Sequence, residues 1–455
     1  MRNPFLYKTL KKFSETALTL LNNKAIEGLP SRTKAKIEIL DSGGYSYDYV
    51  GEADWDRFIR TNKQIFDQLD VYKAAIEAMK ADEKVSRHLD TLVGSAIYSR
   101  SRHGCHEFLQ RMLTLLLHEQ KAISFQENIF NQVYEKMEDY FYREVLEYRY
   151  WSLIENFQME SEKIELAPKF SLIKISKEDR EEILSELMIH PFIDLPFETW
   201  VDNQYALELF VEAPKVFGDV PVSGQPELLE ENPTERFDDA CSALRLFKKG
   251  HILRKIICSK SKYWQPFEYG TSFSYSYGRI SPRAKYVLSN EELSKFLEFW
   301  KSYQMARKLK RKKIGIAMRR FNFSYEKQAP EDKLIEYIIG FEALLLPGVS
   351  QELGYRLALR GSNLLGGNPG ERKRIFLELK KGYDVRCDIV HSGITEKSVK
   401  IGVEEIYLDG LVNILEDHLR DAIRRFLVLS ISQAKDESEV INMLDEQIIC
   451  GFQPC

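Results

Sequence analysis

Residues Lys381 to Gly393 read Lys-Gly-Tyr-Asp-Val-Arg-Cys-Asp-Ile-Val-His-Ser-Gly, which sets Arg386 five positions before His391 and ends on glycine. A guanidinium is a planar fork of donors that matches phosphate oxygens, and an imidazole is the side chain best able to exchange a proton near neutral pH. Phosphate chemistry that needs no metal is within the means of such a pair. Tyr383 and Asp388 stand close enough in sequence to orient a substrate beside it.

Spacing alone selects nothing, because the chain carries its own controls. Of the eight histidines, four follow an arginine at five to seven positions: Arg100 before His106, Arg111 before His118, Arg245 before His251, and Arg386 before His391. The residues between Arg111 and His118 are Met-Leu-Thr-Leu-Leu-Leu, a core run, and Arg245 leaves a helix through Lys-Lys-Gly. Only His391 is followed by Ser-Gly and preceded by a tyrosine and two aspartates. On one regular helix five residues turn the side chains about 140° apart and rise about 7.5 Å, so the pair does not converge on one atom. Gly393 marks a helix end, where local unwinding and a facing copy of the chain would bring the groups together.

Further residues join the pattern. Phe341-Glu342-Ala343-Leu344-Leu345, then Tyr355-Arg-Leu-Ala-Leu-Arg360 with Leu364-Leu365-Gly366, then Tyr383 through Gly393, resemble the HEPN superfamily in its ApeA-like branch. The resemblance covers residues 301 to 430. It implies a helical domain that pairs with a second copy and, in active members, a metal-independent endoribonuclease with an Arg-x4-6-His site, here Arg386 and His391. Cys387 departs from the small or amide residue that the family more often places after the arginine. A defence or toxin-like role in a prokaryotic cell is also implied. Many such domains are inactive, so the alternative is a dimerisation or sensor module that binds RNA or a protein partner.

The expected reaction is attack by the ribose 2′-hydroxyl on the adjacent phosphate. His391 takes the hydroxyl proton or protonates the leaving 5′-oxygen, and Arg386 neutralises charge on the phosphate. Glu342 lies among Ile338, Ile339, Phe341, Ala343 and Leu345, company in which a carboxylate needs a partner. Arg386 is one candidate, and Arg356 and Arg360 are others. The RNA itself requires a local cationic surface, since a net charge of −4 excludes a globally basic binder. The one strong positive block is Arg307, Lys308, Lys310, Arg311, Lys312, Lys313, Arg319 and Arg320, without an acid between its ends. Such a block is either a solvated helix face or a phosphate-binding one.

The elements that position these residues are mainly α. Residues 1–160 read as a helical region, with helical spacing in Phe5 to Leu21, in Trp55 to Met79, and near 86–99, 106–119 and 125–157. Residues 161–290 read as a small α+β domain with strands at 164–166, 170–175, 206–211 and 252–258, and helices at 177–188 and 235–249. Gly218 to Pro233 reads as a surface loop. Phe267, Tyr269, Phe273, Tyr275 and Tyr277 fall on odd positions, giving one strand an aromatic face that is either buried or able to stack bases. Residues 291–435 read as a HEPN-like helical bundle, with helices at 330–346, 351–365, 371–391 and 403–430. Residues 436–455 read as a poorly packed tail.

At 455 residues, with 44% hydrophobic and 29% charged residues, the chain has room for two or three domains. Six cysteines without a paired framework suit a reducing cytoplasm, and no apolar stretch approaches membrane-spanning length. His103-Gly-Cys105-His106 has no second ligand pair, so neither metal nor cofactor is expected. Phosphate-loop, zinc-protease and serine-hydrolase motifs are missing from the sequence. The partners expected are RNA and a second copy of the chain, with no membrane.

Overall fold

A computed structural model describes residues 2–24, 29–41, 44–95, 101–187, 204–218, 232–254, 256–266, 272–275, 285–309, 311–393, 396–432 and 436–450. Helix predominates among them, with short strands between fifteen α-helices. The chain forms two compact units, each assembled from three stretches: Met1–Ser152, Ala167–Thr234 and Ile257–Ser274 in one, and Leu153–Leu166, Glu235–Ile256 and Tyr275–Cys455 in the other.

In the first unit, helices Pro4–Lys24, Asp70–Ala81, Cys105–Gln120 and Glu127–Tyr142 share one core. The spacing of Leu6, Leu10, Phe13, Ala17 and Leu21 puts a continuous apolar stripe inside, and the Asn3 side chain accepts the Phe5 and Leu6 N–H groups at the helix start. This part of the chain is not wholly helical, as its sequence suggested. Ser31–Ile39 and Tyr45–Ala53 form an antiparallel hairpin in which Ile37 pairs with Tyr47. Ala35, Ile37 and Ile39 are buried while Lys34, Lys36 and Glu38 face water, a two-residue period that overrides the helical reading. The 86–99 stretch contains the strand Leu92–Ser95, and the 125–157 stretch changes after Tyr142 into the strand Val145–Glu155. Leu146, Tyr148 and Tyr150 turn inward there.

The expected strands of the middle region form, as Lys163–Ala167, Phe170–Lys174, Tyr205–Phe217, Leu253–Arg254 and Ile256–Ser261. In the first unit, Cys258 pairs with Trp151, Phe170 with Leu209 and Val93 with Phe217, all antiparallel. The helices expected there are Lys177–Leu187 and Pro233–Phe247. Ser272–Tyr275 is a strand. Phe267, Tyr269 and Tyr277 lie outside the described residues, as does most of the 218–233 loop.

The second unit is built around Leu408–Ser432, whose Leu411, Leu415, Leu419, Ala422 and Phe426 are fully buried. Around it pack Asn290–Lys308, Lys312–Ser324, Pro330–Leu345, Leu353–Leu365 and Pro369–Ser392. Pro330 and Pro369 each open a helix, where a missing N–H costs nothing. Two expectations fail here. Val403 and Tyr407 do not extend the last long helix; Val403 sits in the turn of a hairpin, Ser398–Ile401 with Glu404–Tyr407, and Tyr407 ends its second strand opposite Ser398, and they are 94% and 77% exposed. Gly402, at φ 61°, supplies the left-handed turn that ends helical periodicity. Nor are residues 436–450 an unpacked tail. Glu437–Cys450 is a helix that buries Val440, Ile441 and Leu444, and the Arg360 fork reaches Asp445 at 2.8 and 2.7 Å. No helix among the described residues is long and apolar enough to cross a membrane.

Candidate active site

Arg386 and His391 both lie on the Pro369–Ser392 helix, which stays regular through the motif. Asn368 caps its start by accepting the Glu371 N–H at 3.0 Å, and Gly393, at φ 64°, ends it by returning its N–H to the Ile389 carbonyl at 3.1 Å. The unwinding anticipated at Gly393 thus begins only after His391. Within one chain the two side chains keep the divergence of about 140° that a helix imposes.

The helix is seated from two sides within its unit. Gly382 faces Leu415 and Ile338, where an added Cβ would meet Leu415 Cδ1 at 2.9 Å. Gly354, on the neighbouring helix, lies under the Tyr383 ring, where a Cβ would come within 2.6 Å of the ring carbon. Glu378 and His418 close the contact with Leu408–Ser432 through a 2.6 Å bond. None of these seats announces itself in sequence: each glycine matters through a partner 29 or more residues away, and Glu378 and His418 are 40 residues apart.

Arg386 is half-buried and Glu342 is its nearest carboxylate, Nη2 to Oε1 3.9 Å. That distance is an ion pair beyond hydrogen-bond range. The other candidates for Glu342 are engaged elsewhere: Arg360 with Asp445 and the Leu345 carbonyl, and Arg356 near Glu352. Burial raises the Glu342 carboxyl above its ordinary value, and Arg386 opposes that rise without cancelling it. The Tyr383 hydroxyl is likewise raised, first by burial and then by nearby Cys387 and Glu342. Arg386 makes no hydrogen bond among the described residues, and its Nε is buried without an acceptor. His391 and Asp388 are exposed on the last turns of the helix.

The control pairs differ in this respect. Arg245 spends its donors on the Ile252 carbonyl and Asn322 Oδ1 and lies over the Tyr325 ring, on which His251 is stacked. Arg111 donates to the Pro266 carbonyl, His118 is exposed, and His106 bonds the Tyr72 hydroxyl at 2.6 Å. Arg100 is outside the described residues.

The positive block is divided between two helices. Arg307 and Lys308 end Asn290–Lys308, and Arg311 precedes Lys312–Ser324. Arg307 pairs with Asp239 at 2.9 Å and Arg320 with Glu336 at 3.2 Å. The Lys313 and Ile314 N–H groups both donate to Glu437 Oε1. Lys308, Lys312 and Arg319 are exposed and have no carboxylate partner among the described residues, and Lys310 is outside them.

Compared with known proteins, the chain matches no family model, no curated protein and no solved structure.

Proposed function

We propose that this protein is a metal-independent endoribonuclease of HEPN type that works as a homodimer, with Arg386 and His391 as the catalytic residues. The observation that carries the reading is a half-buried guanidinium with no hydrogen bond of its own, on the same helix as an exposed imidazole. A structural arginine spends its donors, as Arg245 does. Arg386 keeps them for a phosphate, and Glu342 sets its direction from 3.9 Å. His391 then moves the proton between the 2′-hydroxyl and the leaving 5′-oxygen, and the product ends in a 2′,3′-cyclic phosphate. Because the two groups diverge on one helix, the site is completed by a second copy.

The test is single-turnover cleavage of structured and unstructured RNA in EDTA. His391→Ala and Arg386→Ala are each expected to lower the rate by about 100-fold or more, the scale of a lost general acid–base or charge-stabilising group, with folding and dimerisation intact. RNA carrying 2′-deoxyribose at the scissile position resists. Full activity in His391→Ala, or activity abolished by EDTA, defeats the mechanism. The Glu342 contact also supports a second reading, an inert dimerisation module in which Arg386 is a structural cation; wild-type protein that dimerises and binds RNA without cutting it would favour that one.

A further inference from the structure

Within the second unit, a cleft of about 560 Å³ opens between the end of the Leu353–Leu365 helix, the last turns of Leu408–Ser432 and the Glu437–Cys450 helix. That volume lies inside the range of about 300–1,000 Å³ typical of small-molecule sites. It is separate from the motif. Gly366 and Gly367 on its rim lead into Pro369, and His391 lies 22 residues further on, about 33 Å along a helix.

The lining has three parts. Leu429, Met443 and Leu444 make an apolar wall. Beside it, Asn363 Nδ2 donates to the Leu444 carbonyl and to Gln447 Oε1, at 3.3 and 3.4 Å. This arrangement leaves Asn363 Oδ1 as an acceptor and Gln447 Nε2 as a donor, both unspent among the described residues, on two bonded amides that line the cleft. At the rim, Arg424 is 41% exposed and its Nη1 lies 3.8 Å from Asp421 Oδ1, outside hydrogen-bond range. Arg425 is committed to the end of the neighbouring helix, donating to the Leu364 and Leu365 carbonyls. It lends the cleft positive charge while leaving Arg424 as the group a ligand would meet.

We propose that this cleft binds a nucleoside monophosphate, with the base on the apolar wall, the base edge on the Asn363–Gln447 pair and the phosphate on Arg424. Every nucleobase presents an adjacent donor and acceptor, which is what the amide pair complements. Two arginines against Asp421 suit a single phosphate, and the Asp421 carboxylate disfavours the added charge of a di- or triphosphate. A free nucleotide and the 5′-phosphorylated end of an RNA offer the same chemistry.

Calorimetric titration of the full chain with AMP, GMP, CMP, UMP, adenosine and a 5′-phosphorylated trinucleotide tests the site. At least one phosphorylated ligand is expected to saturate in the micromolar to millimolar range. Arg424→Gln should weaken it about tenfold, the scale of one charge-assisted contact, and leave adenosine binding unchanged. Gln447→Leu should weaken adenosine and nucleotide alike. Tighter binding of the trinucleotide assigns the cleft to an RNA end, and tighter binding of a monophosphate to a free nucleotide; either supports the site. Circular dichroism confirms that each variant is folded, and Met443→Trp, which fills the cleft from its wall, serves as a second block. No saturable binding at millimolar ligand, or binding that none of the three substitutions alters, overturns the proposal.

Discussion

Glu342 shows how much a single half-buried carboxylate decides. Burial raises its proton affinity and Arg386 lowers it, and burial is the larger effect. A carboxyl whose folded value lies above its unfolded value of about 4.3 holds its proton more tightly in the folded state. The favourable contribution is therefore complete below that value and is lost as pH rises through the raised one. Glu342→Gln keeps the shape and removes the titration, so the variant is expected to be at least as stable as the wild type at pH 7 and to show a flatter urea midpoint as pH rises above the ordinary carboxylate range. Cleavage should fall nonetheless, because Arg386 loses the charge that directs it. A variant that is less stable at neutral pH while retaining full activity would show that Glu342 holds the fold and not the arginine. The need of Glu342 for a partner was legible from its apolar neighbours in the sequence. Its choice among three arginines was not, because Arg360 is diverted by Asp445, a residue 85 positions further along the chain.

At the scale of elements, periodicity revealed most of the second unit's helices, missed Glu437–Cys450 and misread the hairpins of both units. Pro330, Pro369 and Gly393 mark helix ends through backbone chemistry that any reader of sequence can apply. Tyr45 to Tyr49 and Ala35 to Ile39 carry an equally clear two-residue period, but the helices on either side drew them into one helical region. The glycine seats of the motif helix depend on packing partners and leave no local trace. Their effects should separate by position. Gly315 has nothing within 4 Å of an added Cβ, so Gly315→Ala is expected to stabilise by about 0.5–1 kcal/mol through helix propensity. Gly354→Ala drives a Cβ into the Tyr383 ring and is expected to cost about 1–3 kcal/mol and to reduce cleavage by shifting the motif helix. Thermal unfolding of the two variants decides, and equal midpoints would remove the seat argument. The positive block belongs to this scale as well, since a helix break splits it. Lys308→Glu, Lys312→Glu and Arg319→Glu together should weaken RNA binding and lower the slope of log affinity against log salt by about 2, at about 0.7 per single-strand contact. An unchanged slope would make the block a solvated surface.

At the scale of the molecule, each unit gathers three separated stretches of chain, whereas length and the changes of pattern near residues 161 and 291 pointed to domains that follow one another along the sequence. Local pattern cannot reveal such interleaving, because the stretches meet through pairings such as Cys258 with Trp151 and Val93 with Phe217 that no window of sequence contains. The same limit applies to the proposed dimer. One helix holds Arg386 and His391 about 140° apart, so a single chain does not bring both to one phosphate. If the groups that act together come from two copies, light scattering should find a dimer, and Arg386→Ala and His391→Ala chains should each be inactive alone. Mixed and allowed to exchange, they form heterodimers in which one copy supplies an intact arginine and the other an intact histidine. Cleavage is then expected to return to a substantial fraction of the wild-type rate, following the heterodimer population. The readout does not depend on which RNA is cut, because any substrate of the wild type serves. Mixtures that exchange subunits and stay inactive would mean that both groups must come from the same chain, and the regular helix would then have to open at the motif for cleavage to occur.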